Sequence, residues 1–391
     1  MARFPHIVIL GGYGTTGRQL AELLLHETSV TLGLAGRSLD KAHSCAADLN
    51  ARYPGERVRA MRADAANPSS LDSVLAGADL LLVASSTTEH VALVARAALD
   101  AGCDYLDIQY SAEKLRALEA LRGEITSASR CFITDGGFHP GVPGALVRAV
   151  APAFDPLTAA RVASVIQIDW ASLDLVPATM AEFVSEFLGY QALEFRDGRW
   201  QAAPMTRMSA FPHFDFGLPF GRRACIPMPL EEMRHLPEHF PALETCGFYI
   251  AGFNPVVDNI FTPLAMLAMR ISPRHIAGPA GRFYFWGLRT FSRPPYGTRL
   301  RLEAEGLYRD KPARAFITLA HPDGYAFTAI PVVATLLQWL DGDRRAGLWL
   351  QAEYVEPLRF LRDLERLGIE AVIEDESRVL GTWATSVIMR S

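Results

Sequence analysis

Along the first 135 residues, short apolar runs alternate with longer segments of helical period, the pattern of a parallel sheet whose strands are joined by crossover helices. The runs predict strands at His6 to Leu10, Ser29 to Ala35, Val58 to Arg62, Leu80 to Ala84, Tyr105 to Ile108 and Cys131 to Thr134. Between them, Thr15 to His26 places Leu20, Leu23 and Leu24 on one face, and Glu89 to Ala101 repeats the pattern with Val91, Val94, Ala95 and Ala98. Both stripes are suited to packing on a sheet.

After the glycine-rich junction Gly136-Gly137-Phe138-His139-Pro140-Gly141-Val142-Pro143-Gly144, alternating strands and turn signals replace the crossover helices. Arg196-Asp197-Gly198-Arg199 and His321-Pro322-Asp323-Gly324 read as hairpin turns. The uncharged stretch Gly324 to Leu340 reads as a strand (Tyr325 to Ile330) and then, past Pro331, an amphipathic helix. Gly247 to Met269, interrupted only by Asp258, reads as a buried helix with pocket lining, and membrane-surface association is its other reading. A last helix from about Glu356 to Leu367 precedes an apolar run, Ile369 to Ile373. The expected fold is therefore α/β, a Rossmann-type parallel-sheet domain at 1–137. An α+β substrate domain with a mixed or antiparallel sheet follows at 138–350, and 351–391 is expected to pack back on the first domain.

Between the first strand and first helix lies Gly11-Gly12-Tyr13-Gly14-Thr15-Thr16-Gly17. In that context Gly12, Gly14 and Gly17 match the dinucleotide fingerprint: one glycine for the tight turn, one for backbone approach to the pyrophosphate, one for helix–strand contact. The pyrophosphate then rests on the helix N-terminus, where free N–H groups favour anions, and Thr15 and Thr16 offer further donors. At the tip of the second strand, the position of an acid that binds a ribose 2′-hydroxyl, stand Arg37, Ser38 and Lys41. A guanidinium fork suits a 2′-phosphate, so the expected cofactor is NADP(H). Asp64 and Ala65 after the third strand are expected to edge the adenine. Ser85 and Ser86 after the fourth belong near the nicotinamide-side ribose, unless this segment is only the start of the next helix.

Asp107 and Tyr110 follow the fifth strand, and Asp135 and His139 the sixth, so all four are candidates to face the nicotinamide. Tyr110 and His139 have pKa values suited to supplying a proton beside a hydride-accepting carbon. The alternative for each is structural, Asp107 orienting its loop and His139 fixing the turn before Pro140. In the second domain Phe211, Phe214, Phe216, Phe220, Phe248, Tyr249 and Phe253 describe either a broad apolar pocket or a core. Arg207, Arg222, Arg223 and Arg234 are the cations available there for a carboxylate.

Composition narrows the class of protein. In 391 residues, half of them hydrophobic, a net charge of −5 leaves no basic excess for a nucleic acid, and a small-molecule substrate is the expected partner. Five cysteines with no CxxC pair argue against a disulfide framework and against a metal site. No stretch reads as an integral membrane span. The first strand begins almost at once, so the expected location is the cytoplasm.

The motifs at 11–17, Ala35-Gly36-Arg37, Asp104-Tyr105-Leu106-Asp107 and Gly137-Phe138-His139-Pro140-Gly141 together resemble the saccharopine dehydrogenase-like family, in its saccharopine reductase branch. That resemblance implies a Rossmann domain, a discontinuous substrate domain, a homodimer, and NADP(H) chemistry at a C–N bond. It extends to trans-acting enoyl reductases, which act on C=C bonds. Members acting on amino-acid adducts commonly carry an acid in a Gly-x-Asp-Pro-Gly segment, whereas this chain has His139. The expected activity is thus reduction of a C=N or C=C bond in a partly apolar metabolite. A non-catalytic NADP-binding sensor or scaffold is the alternative.

Overall fold

Four consecutive apolar residues, Ile7 to Leu10, are at most 3 % exposed in β1 (His6–Leu10), because both faces of this strand are covered. α1 (Thr15–Glu27) buries Leu20, Ala21, Leu24 and Leu25, the spacing of one helical face. The same alternation continues through β2 (Thr31–Gly36), α2 (Leu39–Arg52), β3 (Val58–Arg62), α3 (Pro68–Leu75), β4 (Leu80–Val83), α4 (Val91–Asp100), β5 (Asp104–Asp107), α5 (Ala112–Ser127) and β6 (Cys131–Thr134). With a strand at Gly347–Leu350 these form a seven-stranded sheet of order Gly347–Leu350, β6, β5, β4, β1, β2, β3. All its pairings are parallel.

The computed structural model describes residues 4–172, 190, 192–203, 211–271, 273–342 and 344–375. The chain divides into two units, Met1–Ala145 with Tyr325–Gly368, and Leu146–Gly324 with Ile369–Ser391. These divisions differ from the expected ones at 137/138 and 350/351. The chain returns to the first unit at Tyr325, and within that return the short strand Gly347–Leu350 pairs with β6. The stretch after Gly368 counts with the second unit, whose sheet Glu370–Glu374 joins by pairing with a strand at Lys311–His321.

Residues Gly324–Leu340 form one helix, which corrects the expected strand at Tyr325–Ile330. Phe327, Ala329, Ile330, Val332 and Val333 are all buried. A helix covered on every side shows no amphipathic period, so its apolar run is indistinguishable from a buried strand. His321-Pro322-Asp323-Gly324 is likewise the entry to that helix and not a hairpin. Trp339, fully buried, donates through Nε1 to Asp104 Oδ2 at 2.9 Å, while Asp104 Oδ1 accepts from the Cys131 N–H. A carboxylate at the start of β5 thereby ties together β5, β6 and the helix.

The second unit is a mixed sheet. Its strands are β7 (Leu157–Gln167), β8 (Leu193–Arg196), β9 (Arg199–Ala202), β10 (His213–Asp215), β11 (Arg222–Met228), β12 (Thr245–Ala251), β13 (Gly297–Tyr308), β14 (Lys311–His321) and Glu370–Glu374. β12 and β7 run parallel and the other pairs antiparallel. The expected hairpin at Asp197-Gly198 joins β8 to β9, both turn residues having positive φ. A longer hairpin, β13 to β14, turns on Arg309 and Asp310 at φ 51 and 61.

Candidate nucleotide-binding site

The glycine turn is shaped by what a side chain would strike. Gly11 holds φ +88, and a Cβ there would lie 2.7 Å from the Ala84 carbonyl oxygen at the end of β4. A Cβ on Gly12 would meet Leu34 of β2, and one on Gly17 would overlap the Gly11 carbonyl. The left-handed turn therefore belongs to Gly11, one residue before the position assigned to it from the motif. Gly14 differs from its neighbours: only the Gly11 oxygen, at 3.2 Å, lies near a Cβ built there. Gly14 and Thr15 are exposed, Thr16 is half-buried, and α1 begins with no side-chain cap and no acid in its first turn. An open helix N-terminus over an exposed glycine is the cradle that a pyrophosphate requires.

Tyr13 joins this turn to the tip of β2. Its hydroxyl accepts from the Ser38 N–H at 3.0 Å, and its ring lies against Gly36, where a Cβ would come within 2.5 Å of the hydroxyl oxygen. Arg37 and Lys41 are both exposed, and neither is paired with a carboxylate among the described residues. Ser38 is committed otherwise: its Oγ caps α2 by accepting from the Lys41 N–H. A carboxylate at this tip is missing, though Asp40 stands in the first turn of α2.

At the third strand end Ala65 is 5 % exposed and packs in the hydrophobic core, so it is not the edge of an open adenine slot. Asp64 accepts from the Ala66 N–H and shapes the loop instead. At the fourth, Ser85 abuts Gly11, its Oγ lies 3.2 Å from Thr87 Oγ1 and its carbonyl accepts from Gln109 Nε2 at 2.6 Å. Ser86 is exposed. Thr88–His90 forms a 3-10 turn leading into α4.

The fifth and sixth strand ends are locked by a residue the motif reading passed over. Lys114 Nζ lies 3.0 Å from Asp107 Oδ1 and 2.6 Å from the Gln109 carbonyl oxygen, and also contacts Asp135 Oδ1. Thr134 Oγ1 donates to Asp107 Oδ2 at 2.8 Å. Burial pulls the Lys114 ammonium down, but the two carboxylates outweigh it and hold its pKa above the ordinary lysine value. Asp107 and Asp135 thus fix the loops that follow β5 and β6. The signal was present in α5, whose buried stripe is Lys114, Leu118 and Ile125: a lysine where the period calls for an apolar residue.

Tyr110 is half-buried. His139 is half-buried with both ring nitrogens covered, its ring 3.9 Å from that of Phe138, and this desolvation pushes its imidazole down to about 4. At neutral pH His139 is therefore uncharged and has no imidazolium proton to give, which counts against the proton-donor role expected of it.

In the second unit, Phe214, Phe216, Phe220 and Tyr249 form a core cluster with Val165 and Cys225, and Phe211 and Phe248 are buried. The broad aromatic pocket is therefore mostly core. Of the seven aromatics only Phe253 lines a cavity of about 370 Å³, with Ile166, Trp170, Val256, Phe291 and Arg293. Arg223 Nε donates to the Phe220 carbonyl and Arg234 pairs with Glu231; Arg207 lies outside the described residues.

Residues 7–130 match the family model described as the saccharopine dehydrogenase NADP binding domain. The fold is that of saccharopine dehydrogenase (L-Glu forming) from Saccharomyces cerevisiae in its apo form. The TM-score is 0.71 at 15 % identity, over 95 % of this chain and 100 % of that one. The chain thus has the α/β fold of saccharopine dehydrogenase, and residues 7–130 are similar to the NADP binding domain of that family. Two other solved structures reach a TM-score of only 0.26. They are Pen from Bacillus thuringiensis (19 % identity, 34 % of this chain, 49 % of that one) and a wide-type short-chain dehydrogenase/reductase from Veillonella parvula in complex with NADP (16 %, 34 % and 68 %). No curated protein matches the sequence.

Proposed function

We infer that this chain is an NADP(H)-dependent oxidoreductase that reduces a C=N or C=C bond in a small, partly apolar metabolite. The observation that carries this reading is the open Gly14–Thr15 helix terminus, bridged by Tyr13 to a strand tip that bears Arg37 and Lys41. The first-turn amides of α1 would hold the pyrophosphate, and Arg37 and Lys41 would neutralise a 2′-phosphate. Bound NADP(H) supplies the hydride. The chain's own part is to bind, to orient and to handle the proton.

Asp107 and Asp135 are tied to Lys114, and His139 is neutral at physiological pH, so of the two proposed donors we assign the role to Tyr110. An iminium substrate arrives already protonated and needs no such donor. The cavity beside Trp170 and Phe253, apolar but for a few groups such as Gln167 and Arg293, suits a substrate with one polar end. The neutrality of His139 also favours a second reading, a cofactor-binding sensor or scaffold without turnover. Calorimetry with NADPH and NADH, then absorbance at 340 nm with imines and enoyl thioesters, separates the two. Preference for NADPH and its oxidation by one substrate class are expected; tight binding with no oxidation by any class supports the sensor.

A further inference from the structure

The second unit carries an unusual surface. Among the described residues eleven large hydrophobic side chains are exposed, and five of them, Ile260, Leu264, Leu267, Phe283 and Trp286, lie within one helical hairpin. The hairpin consists of a π-helical turn at Val257–Phe261, a helix at Thr262–Ile271 and a helix at Pro273–Phe291. Its inner side is a proper core of Val257, Phe261, Ala265, Tyr284, Phe285 and Leu288. The outer residues are therefore apolar by placement and not through failure to pack. Ile260, Leu264 and Leu267 follow the i, i+4, i+7 spacing of one stripe. On the second helix Phe283 and Trp286 stack, and Phe261 touches both rings, which links the two stripes.

Charge completes the pattern. Between residues 257 and 293 the sequence holds five arginines and a single acid, Asp258, in a chain whose net charge is −5. Asp258 Oδ1 accepts from the Phe253 N–H and so is engaged within its own unit. Arg282 and Arg289 are exposed and stand four residues before and three after Trp286, on the same helical face. A protein partner could use the apolar residues alone. An apolar stripe ending in Trp and Phe and edged by arginines matches the chemistry of a bilayer boundary, where rings enter the headgroup layer and guanidiniums meet lipid phosphates. Among the described residues no helix is long and apolar enough to cross a membrane, so the hairpin would lie in the surface.

We propose that the hairpin at residues 257–291 docks this protein on the surface of an anionic lipid bilayer through Ile260, Leu264, Leu267, Phe283 and Trp286, with Arg282 and Arg289 at the headgroups. The residues that enter and leave the hairpin, Phe253 to Val256 and Phe291 to Arg293, line the cavity of about 370 Å³. An apolar metabolite leaving the bilayer would reach that cavity at the root of the docked element.

Sedimentation of the full-length protein with phosphatidylcholine vesicles, with and without phosphatidylglycerol, tests the proposal. Binding to the anionic vesicles is expected to be about tenfold stronger and to weaken as salt is raised. Leu264→Glu with Leu267→Glu should abolish it, and Arg282→Glu with Arg289→Glu should remove the preference for anionic lipid. NADPH affinity and the circular dichroism melt, unchanged in these exposed-site variants, would show that they are folded. Absence of wild-type protein from the vesicle pellet overturns the proposal, as does equal pelleting of the glutamate variants. A dimer in velocity sedimentation that Leu264→Glu with Leu267→Glu dissociates, with no vesicle binding, would assign the face to a second copy and overturn it as well.

Discussion

Lys114 Nζ and Asp107 Oδ1 lie 3.0 Å apart with neither side chain exposed to solvent, and Asp135 closes the same ammonium from the neighbouring strand end. Replacing Lys114 with Met leaves two buried carboxylates facing each other without a cation. A loss of about 3–5 kcal/mol is expected, measurable by urea denaturation, because the cost is that of an unpaired buried charge. A change below about 1 kcal/mol would show that the cluster is dispensable. The pH dependence has a fixed sign. A lysine whose pKa is raised on folding contributes stability that is complete below its unfolded value, near 10.5, and is lost as pH climbs through the folded value. The wild-type protein should therefore lose stability in that alkaline range, and Lys114→Met should lack this component.

His139 gives the opposite sign at the acid end. Its folded pKa is depressed from 6.5 to about 4 by burial, so the unfolded chain takes up the proton first as pH falls. Stability should decline by about 3 kcal/mol between those values and then level off. His139→Gln should remove that slope in denaturation midpoints compared at pH 7 and near pH 4. A slope identical in both proteins would place the acid sensitivity elsewhere.

Gly14→Val should abolish NADPH binding, by about a hundredfold or more, while the melting temperature holds. The open space over Gly14 would then be filled by the new side chain. Calorimetry showing wild-type affinity would mean that the pyrophosphate does not lie on this turn.

Arg37→Asp should weaken NADPH by about a hundredfold and leave NADH nearly unchanged, since two charge-assisted bonds to a 2′-phosphate are replaced by repulsion. Equal losses for both cofactors would move the phosphate site away from β2. Ser38→Ala separates capping from recognition: it should cost about 1 kcal/mol of stability through α2 and little affinity.

Tyr110→Phe should lower turnover about a hundredfold with unchanged NADPH affinity, the usual size of a lost proton donor. If kcat stays at the wild-type level, the substrate arrives protonated and the C=N reading gains over C=C.

Much of the first unit is legible in the sequence because its signals are local. A buried strand, a glycine turn and an amphipathic helix each lie within about 15 residues, and short-range sterics decide them. The glycine turn at Gly11 to Gly17 and the β8–β9 turn at Asp197-Gly198 belong to this kind. The turn at Arg309-Asp310 does not, because the pairing of β13 with β14 imposes positive φ on residues that do not advertise it. Gly324–Leu340 escaped because complete burial erases periodicity, and Gly347–Leu350 because four residues become a strand only when β6 is there to pair with them.

Local spacing alone sets which residues of β1 and α1 turn inward and where the glycine turn between them falls. Packing decided which polar groups meet: Lys114 with Asp107 and Asp135, and Trp339 with Asp104 across 235 positions. It also decided that His139 is neutral and that five apolar side chains of one hairpin face solvent. Burial and pairing are properties of the surroundings, and the surroundings come from parts of the chain that no local pattern brings together.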